Sequence, residues 1–271
     1  MSTSDVLTDV RFERVGVDGE VGVLTFDRPE RRNALSGAML ESSLRIVTDV
    51  SADRSVRALV ITGAGQGFCS GADLAASGGP RLEDQGGRLG DSMRATLNPL
   101  VLAICDAPFP VVAAVNGAAA GAGVGLALAA DFLVASESMR LLLTFSRIGM
   151  GLDGGTSWFL ARQLGLRRAT AVSMLIEPIT AELALDWGLA LRVAPDDGLV
   201  DEAVSFAAEL AAGPTLAYAA QKRQLREAME IPLAEALDRE ASVQDRLVQT
   251  HDLTEGVAAF RDGRPARYRG S

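Results

Sequence analysis

Two glycine-rich turns stand out as places where this sequence could bind and activate a ligand. One covers residues 67–74 (GFCSGADL) and the other residues 116–123 (NGAAAGAG), and each follows an apolar run, 58–63 or 111–115, typical of a buried strand. Small residues let a backbone approach a ligand closely, and the N-terminus of a helix presents unpaired N–H groups. Two such N–H groups from separate turns would form an oxyanion hole for a carbonyl oxygen. The alternative interpretation is tight packing of helix on sheet.

Asp153 is the carboxylate best placed for proton transfer, because it immediately precedes Gly154-Gly155-Thr156 and the helix expected there. The sequence leaves two roles open for it, a general base or the N-cap of that helix. His251 is the only histidine, so an HExxH zinc site is excluded and a Ser-His-Asp hydrolase would depend on that one residue. The two cysteines are scattered and show neither a disulfide framework nor metal-ligand spacing, and we expect no metal.

The charge balance argues against a nucleic-acid partner. The 271 residues include 26 basic and 35 acidic side chains, a formal net charge of −9. No signal peptide is visible at the N-terminus. The most apolar stretch, 111–135, is interrupted by glycines and by Asn116 and Asp131, and a membrane helix needs about 20 cleaner residues. We therefore expect a cytoplasmic protein without a membrane partner.

Hydrophobic patterning predicts an α/β core followed by helices. A hairpin is expected over 10–16 and 21–26, a helix capped by Ser36 over 36–50, and strands over 58–63 and 111–115. Further elements are helices over 89–107 and 121–130, short strands over 132–135 and 141–144, and a last helix opened by a capping box at 252–255. Because helices dominate late in the chain, we divide it into a core, residues 1–200, and a helical C-terminal region, residues 201–271.

Several short motifs, in one consistent order, resemble those of the crotonase superfamily, the enoyl-CoA hydratase/isomerase family. Each motif is weak alone, but together they cover roughly residues 10–270. They are Arg28-Pro29 with Asn33-Ala34-Leu35, Phe68-Cys69-Ser70-Gly71-Ala72-Asp73-Leu74, Ala114-Val115-Asn116-Gly117 with Gly121-Ala122-Gly123, Asp131, Gly154-Gly155-Thr156, and Asp252-Leu253-Thr254-Glu255-Gly256 with Phe260.

The resemblance implies a fold and a ligand. The fold is a spiral of ββα units with a helical C-terminal trimerisation region, assembled as a homotrimer or as a hexamer made of two trimers. The ligand is an acyl-CoA thioester, with coenzyme A as part of the substrate and no further cofactor. The family's oxyanion-hole N–H groups fall on Ala72 and Ala122, and contacts with coenzyme A are expected at Arg31, Ala34 and Ala72. Lys222 is similar to a basic residue that the family points toward the nucleotide.

The sequence departs from the family's hydratases at the two positions that matter most for hydration. Hydration in the family resembles a device of two glutamates, and the matching positions here are Gly125 and Phe145, neither of which transfers a proton. Asp153 matches the single acid of isomerases. The runs 145–149 and 98–100 are similar to those of ring isomerases in phenylacetyl-CoA breakdown. We expect a substrate pocket lined by Phe145, Gly125, Asn98 and Leu152, and shaped by the glycine-rich loop 75–90.

We therefore predict a double-bond isomerase in which Asp153 moves a proton along a thioester enolate. Apolar neighbours would raise the pKa of this carboxyl by desolvation. A hydratase or lyase with a nonstandard acid and a non-catalytic acyl-CoA-binding oligomer stay open. A third enzymatic alternative resembles aryl-CoA dehalogenases, in which the aspartate is a nucleophile, but Asn98 holds the place of their histidine. Asp73 and Asp131 are interpreted as structural.

Overall fold

The computed structural model describes residues 7–73 and 89–271, which form an α/β protein with two sheets. The strands are β1 (Val10–Val15), β2 (Val21–Phe26), β3 (Ala58–Gly63), β4 (Gly67–Cys69), β5 (Val111–Val115), β6 (Ala118–Ala120), β7 (Phe132–Ser136), β8 (Arg140–Leu142), β9 (Ile179–Thr180) and β10 (Arg192–Ala194). The larger sheet has the order β1-β2-β3-β5-β7-β10 and the smaller one the order β4-β6-β8-β9. Only the β1–β2 and β8–β9 pairs are antiparallel.

Helices connect and cover these sheets. They are α1 (Gly37–Ala52), α2 (Leu89–Ala95), α3 (Leu97–Asp106), α4 (Ala122–Ala129), α5 (Thr156–Leu175), α6 (Ala181–Asp186), α7 (Leu199–Ala211), α8 (Thr215–Glu227), α9 (Leu233–Leu247) and α10 (His251–Asp262). Within the described residues, no helix combines the length and apolar character needed to cross a membrane.

Strand β3 shows why the central strands are apolar on both faces. Leu59 and Ile61 pack into one hydrophobic cluster, with α1 and α3, whereas Ala58 and Val60 pack into a second cluster on the opposite face, with α7. Side chains alternate along a strand, so a strand covered on both faces needs an unbroken apolar run. The alternation explains the run ALVITG that predicted this strand.

The chain repeats one path through the two sheets. After β3, β5 and β7 in the large sheet, it enters β4, β6 and β8 in the small sheet, and each pair of strands leads on to a helix. This is the predicted ββα spiral, and the predicted α/β class is confirmed. The path brings the chain segments after β4, β6 and β8 together at one end of the small sheet.

Two asparagine side chains hydrogen-bond to the backbone at the end of β3 and in the loop that follows it. Asn33, fully buried, donates from Nδ2 to the carbonyls of Ala64 (2.9 Å) and Gly67 (2.8 Å). Asn116 donates to Gly63 O (2.7 Å) and accepts from Gly63 N (3.1 Å). Buried backbone groups need such partners, so these side chains fix the start of the first glycine-rich turn.

Some predicted elements need correction. The single helix over 89–107 is two helices, α2 and α3, separated at Thr96. The predicted capping box at 252–255 is wrong, because Thr250 caps α10 and accepts from Leu253 N, while Asp252 accepts from the N–H groups of Arg269 and Gly270. The strand predicted over 141–144 is β8, which ends before a 3₁₀ turn. Strands β4, β6, β9 and β10 were not predicted.

Helix α7 begins at the predicted boundary between core and C-terminal region. Its buried residues, including Ala203, Phe206 and Ala207, pack on the large sheet, so this helix belongs to the packing of the core. The division of the chain at residue 200 stays a prediction.

Candidate active site

The first glycine-rich turn leaves the N–H of Ala72 without an acceptor among the described residues. Ala72 forms an isolated parallel bridge with Leu35, in which Leu35 N donates to Gly71 O (2.8 Å) and Asp73 N donates to Leu35 O (3.3 Å). The residues on either side of Ala72 make these two bonds. Along an extended chain, successive peptide groups point in opposite directions, so the N–H of Ala72 points away from Leu35.

The second turn presents an N–H in the same way. Gly121 has a φ of +53° and precedes α4, and its own N–H donates to Leu142 O at 3.0 Å. Ala122 is the first residue of α4, and its N–H has no acceptor within residues 7–73 and 89–271. The first N–H groups of a helix lack partners inside the helix and carry partial positive charge.

Gly71 brings the two turns into contact. A Cβ atom at this position would lie 3.5 Å from Ala122 N and 2.8 Å from Ala120 O, and its φ of +86° is a conformation that glycine tolerates. Any other residue would push the turns apart. The N–H groups of Ala72 and Ala122 therefore lie on adjacent turns, as an oxyanion hole requires.

The loop that carries Asp153 contacts the second glycine-rich turn through Gly154. A Cβ atom on Gly154 would lie 3.3 Å from Ala122 O and 3.4 Å from Ala122 Cα, so the loop that carries Asp153 packs against the first residue of α4. The Asp153 Oδ1 atom is buried and has no hydrogen-bond partner in the described part of the chain. Burial raises the pKa of this carboxyl from 3.8 to about 6, because desolvation disfavours its charged form.

The alternative role of Asp153 as a side-chain N-cap is not what the structure shows. Gly155 is the N-cap of α5, without a side-chain capping bond. The backbone carbonyl of Asp153 accepts from Thr156 N (3.0 Å) and Thr156 Oγ1 (2.8 Å). Because the backbone carbonyl of Asp153 accepts these two bonds, its side-chain carboxyl does not cap the helix.

The two positions that hold glutamates in the family's hydratases offer no acid here. Gly125 lies inside α4, and a Cβ atom there would overlap the carbonyl oxygen of Gly154. Phe145 is buried in the 3₁₀ turn Thr144–Ile148, and its ring lies 3.9 Å from the place of a Cβ atom on Gly121. An apolar ring and a backbone contact occupy the space that proton-transfer groups would need.

The other predicted site residues fall near these turns or on the surface. Arg31 is partly exposed and pairs with Asp73 (3.2 Å), and Ala34 is buried next to the Leu35–Ala72 bridge. Leu152, adjacent to Asp153, is 36% exposed, and Asn98 lies exposed on the first turn of α3. Their roles with coenzyme A and in the pocket stay predictions. Most of the predicted acyl-pocket loop, 75–88, is outside the described residues.

Lys222 contacts a carboxylate and two backbone carbonyls of this chain, and the expectation that it points toward a nucleotide stays a prediction. Its ammonium lies 2.7 Å from Asp131 Oδ2 and donates to the carbonyls of Ile104 (3.4 Å) and Phe109 (3.2 Å). Asp131 also pairs with Arg226 (3.1 Å) and accepts from Val111 N (2.9 Å). The structural interpretation of Asp131 is confirmed by these contacts.

Comparisons with known proteins agree with this fold. The family model described as enoyl-CoA hydratase/isomerase matches residues 16–271. A probable enoyl-CoA hydratase of Rhodobacter capsulatus is 40% identical over 263 residues, covering 96% of this chain and 98% of its own. The 1,2-epoxyphenylacetyl-CoA isomerase of Escherichia coli is 37% identical over 257 residues, covering 94% and 97%.

Comparison with solved structures indicates the same family. The crystal structure of a putative enoyl-CoA hydratase from Streptomyces coelicolor superimposes with a TM-score of 0.91 at 37% identity, over 100% of this chain and 98% of that one. The chain belongs to the enoyl-CoA hydratase/isomerase family, whose enzymes act on acyl-CoA, and the resemblance read from its motifs is confirmed.

The contact between Gly125 and Gly154 can be tested with a single methyl group. Gly125→Ala is expected to lower the free energy of unfolding by about 3 kcal/mol, because the added carbon displaces backbone rather than a flexible side chain. The matched control is Gly37→Ala, on the first residue of α1, where a Cβ meets no atom within 4 Å. Urea unfolding should show a change within about 0.5 kcal/mol for the control. Equal effects of the two substitutions would contradict the packing described.

Proposed function

We propose that this protein is an acyl-CoA isomerase that shifts a double bond with one carboxylate as base. One observation carries the proposal: Asp153 Oδ1 is buried, has no hydrogen-bond partner among the described residues, and belongs to a loop that packs against Ala122. The positions of the two glutamates of the family's hydratases, Gly125 and Phe145 here, hold no group that transfers a proton. A single carboxylate suffices for a 1,3-proton shift, whereas addition of water in this family uses two acids.

The proposed reaction needs only groups of this chain. The N–H groups of Ala72 and Ala122 donate to the thioester oxygen and stabilise the negative charge of the enolate. The Asp153 carboxylate accepts a proton from the α carbon of a 3-enoyl thioester and, as the acid, returns a proton to the γ carbon. The C–H bond broken and the C–H bond formed balance, the double bond moves into conjugation, and no cofactor beyond the substrate's own coenzyme A is required.

The pKa of Asp153 suits both halves of this cycle. At about 6, the carboxyl is mostly ionised at neutral pH and can accept a proton, yet it is a better match for carbon acids and for returning a proton than a carboxyl at 3.8. The cause is desolvation by burial, which disfavours the charged form of the carboxyl.

The names of relatives support isomerisation, but they also leave hydration as a second candidate reaction. The Escherichia coli relative is named a 1,2-epoxyphenylacetyl-CoA isomerase, and this chain is similar to it over nearly its whole length. The Rhodobacter capsulatus relative is named a probable enoyl-CoA hydratase, which favours hydration with a nonstandard acid as the second candidate. The two reactions give different products from one substrate.

Isomerisation and hydration can be separated in D₂O. With 3-enoyl-CoA and 2-enoyl-CoA thioesters, we expect the double bond to move and deuterium to appear at the α or γ carbon, detected by NMR and mass spectrometry. Asp153→Asn should lower this rate by about 10²–10⁴-fold, since the amide cannot accept the proton. Asp186→Asn, an exposed carboxylate at the end of α6, is the control.

The pH dependence provides a second readout of the same base. Because Asp153 must be ionised to accept the proton, kcat/KM should rise with pH and level off above about 6. A product heavier by D₂O that still forms in Asp153→Asn would refute the isomerase and favour the hydratase. Binding of acyl-CoA without any exchange would favour a non-catalytic binder.

We also propose that the C-terminal helices assemble the chain into a trimer or a hexamer. Large apolar side chains stand exposed along α8, α9 and α10 or next to them, among them Leu225, Leu233, Leu237 and Phe260. Exposed apolar surface of this kind is typical of protein–protein contacts. Sedimentation equilibrium at micromolar concentration should give about three or six times the mass of the chain. A monomer at this concentration would contradict the assembly.

A further inference from the structure

One guanidinium contacts both chain segments of the Leu35–Ala72 bridge. Arg28 Nη1 donates to Ala34 O at 2.7 Å, and Arg28 Nη2 donates to Asp73 Oδ2 at 3.0 Å. These acceptors belong to the residue before Leu35 and to the residue after Ala72. The Arg28 side chain is 16% exposed, so this planar group fixes the spacing between the two segments from a largely buried position.

Charges around Arg28 hold it in place. The Asp73 carboxylate is 7% exposed and is shared by Arg28 and Arg31, at 3.0 and 3.2 Å. Asp9 Oδ2 lies 3.3 Å from Arg28 Nε and accepts from the hydroxyl of Ser36 at 2.6 Å. Charge-assisted hydrogen bonds to the fork of an arginine are strong and directional. The cluster therefore restrains Asp73, the residue after Ala72, and so limits how far the Ala72 backbone can shift from Leu35.

Few backbone hydrogen bonds hold the chain segment around Ala72 against the segment around Leu35. The bridge is one residue pair long, and its two hydrogen bonds join Leu35 to Gly71 and Asp73. The bond from Leu35 N to Gly71 O sets the direction of the peptide group that carries the N–H of Ala72, but the next bond, from Asp73 N to Leu35 O, is long at 3.3 Å. A side-chain contact across the bridge supplies a further restraint on the distance between the two segments.

We propose that Arg28 is a positioning residue that aims the N–H of Ala72 at the thioester oxygen. This inference rests on the oxyanion hole of the proposed function and adds to it the group that holds one donor in place. Catalysis by oriented donors depends steeply on geometry, and a misplacement of about 1 Å costs on the order of 10²-fold. Arg28 acts through Ala34 and Asp73 and needs no contact with the substrate.

The test reads the thioester carbonyl directly. Hexanoyl-CoA labelled with ¹³C at its carbonyl is bound to the protein, and infrared difference spectra report the shift of the carbonyl band from its frequency in water. In the native protein we expect a shift to lower frequency. Arg28→Met should lose at least about half of that shift and lower kcat by about 10–100-fold, with KM changed by less than about threefold. Arg11→Met, in an exposed pair with Asp27, should change none of these.

A second variant, with a smaller change, tests the proposal if Arg28→Met fails to fold. Arg28→Lys keeps a positive charge beside Asp73 but cannot also reach Ala34 O, and it should lose the carbonyl shift in the same direction. Asp153→Asn should keep the shift while it loses turnover, which separates the donors from the base. A full shift in folded Arg28 variants would overturn this proposal alone. No shift in the native protein would overturn it together with the oxyanion hole.

Discussion

The packing of Gly154 against α4 is the contact on which the candidate site depends. Because Gly125 has no side chain, the carbonyl of Gly154 can lie against the helix there, and Gly154 itself touches Ala122. The same contact places the loop that carries Asp153 against the first residue of α4. A side chain at position 125 would fill the space that this loop occupies. An acid at position 125 and the present path of the loop that carries Asp153 therefore exclude each other, which is a physical reason for the absence of an acid there.

This arrangement costs stability at the pH where the base works. Folding raises the pKa of Asp153 from 3.8 to about 6, so the folded protein binds this proton more tightly than the unfolded chain does. The contribution to stability is fully present below pH 3.8 and is lost as the pH rises through about 6. At neutral pH the site holds an ionised carboxylate with one buried oxygen that has no hydrogen-bond partner within residues 7–73 and 89–271. Such a cost is expected where a group is held ready for chemistry.

Much of the site followed from residue types, because backbone donors need small residues and helix starts. The N–H groups of Ala72 and Ala122 lie on adjacent turns, and the positions of the hydratase acids are filled as the sequence indicated. The central strands were predictable because burial on both faces requires apolar runs such as that of β3.

The rest depended on contacts that no local pattern reports. Strand β6 is three alanines, and β4 is three residues long, so neither carries an alternation that marks a strand. Thr250 rather than Asp252 caps α10 because the C-terminal residues occupy the Asp252 carboxylate. Arg28 reaches Asp73 across 45 positions in the chain, and only the fold shows that pair.

The site depends on Asp153 as a desolvated carboxyl whose Oδ1 has no hydrogen-bond partner among the described residues. The most direct test is a ¹³C NMR titration of the aspartate carboxyl carbons, with the Asp153 signal assigned by its absence in Asp153→Asn. We expect an apparent pKa of about 6 for that carboxyl group. A midpoint at or below the ordinary value of 3.8 would show that the carboxylate is solvated or paired, and it would contradict a buried, desolvated base at this site.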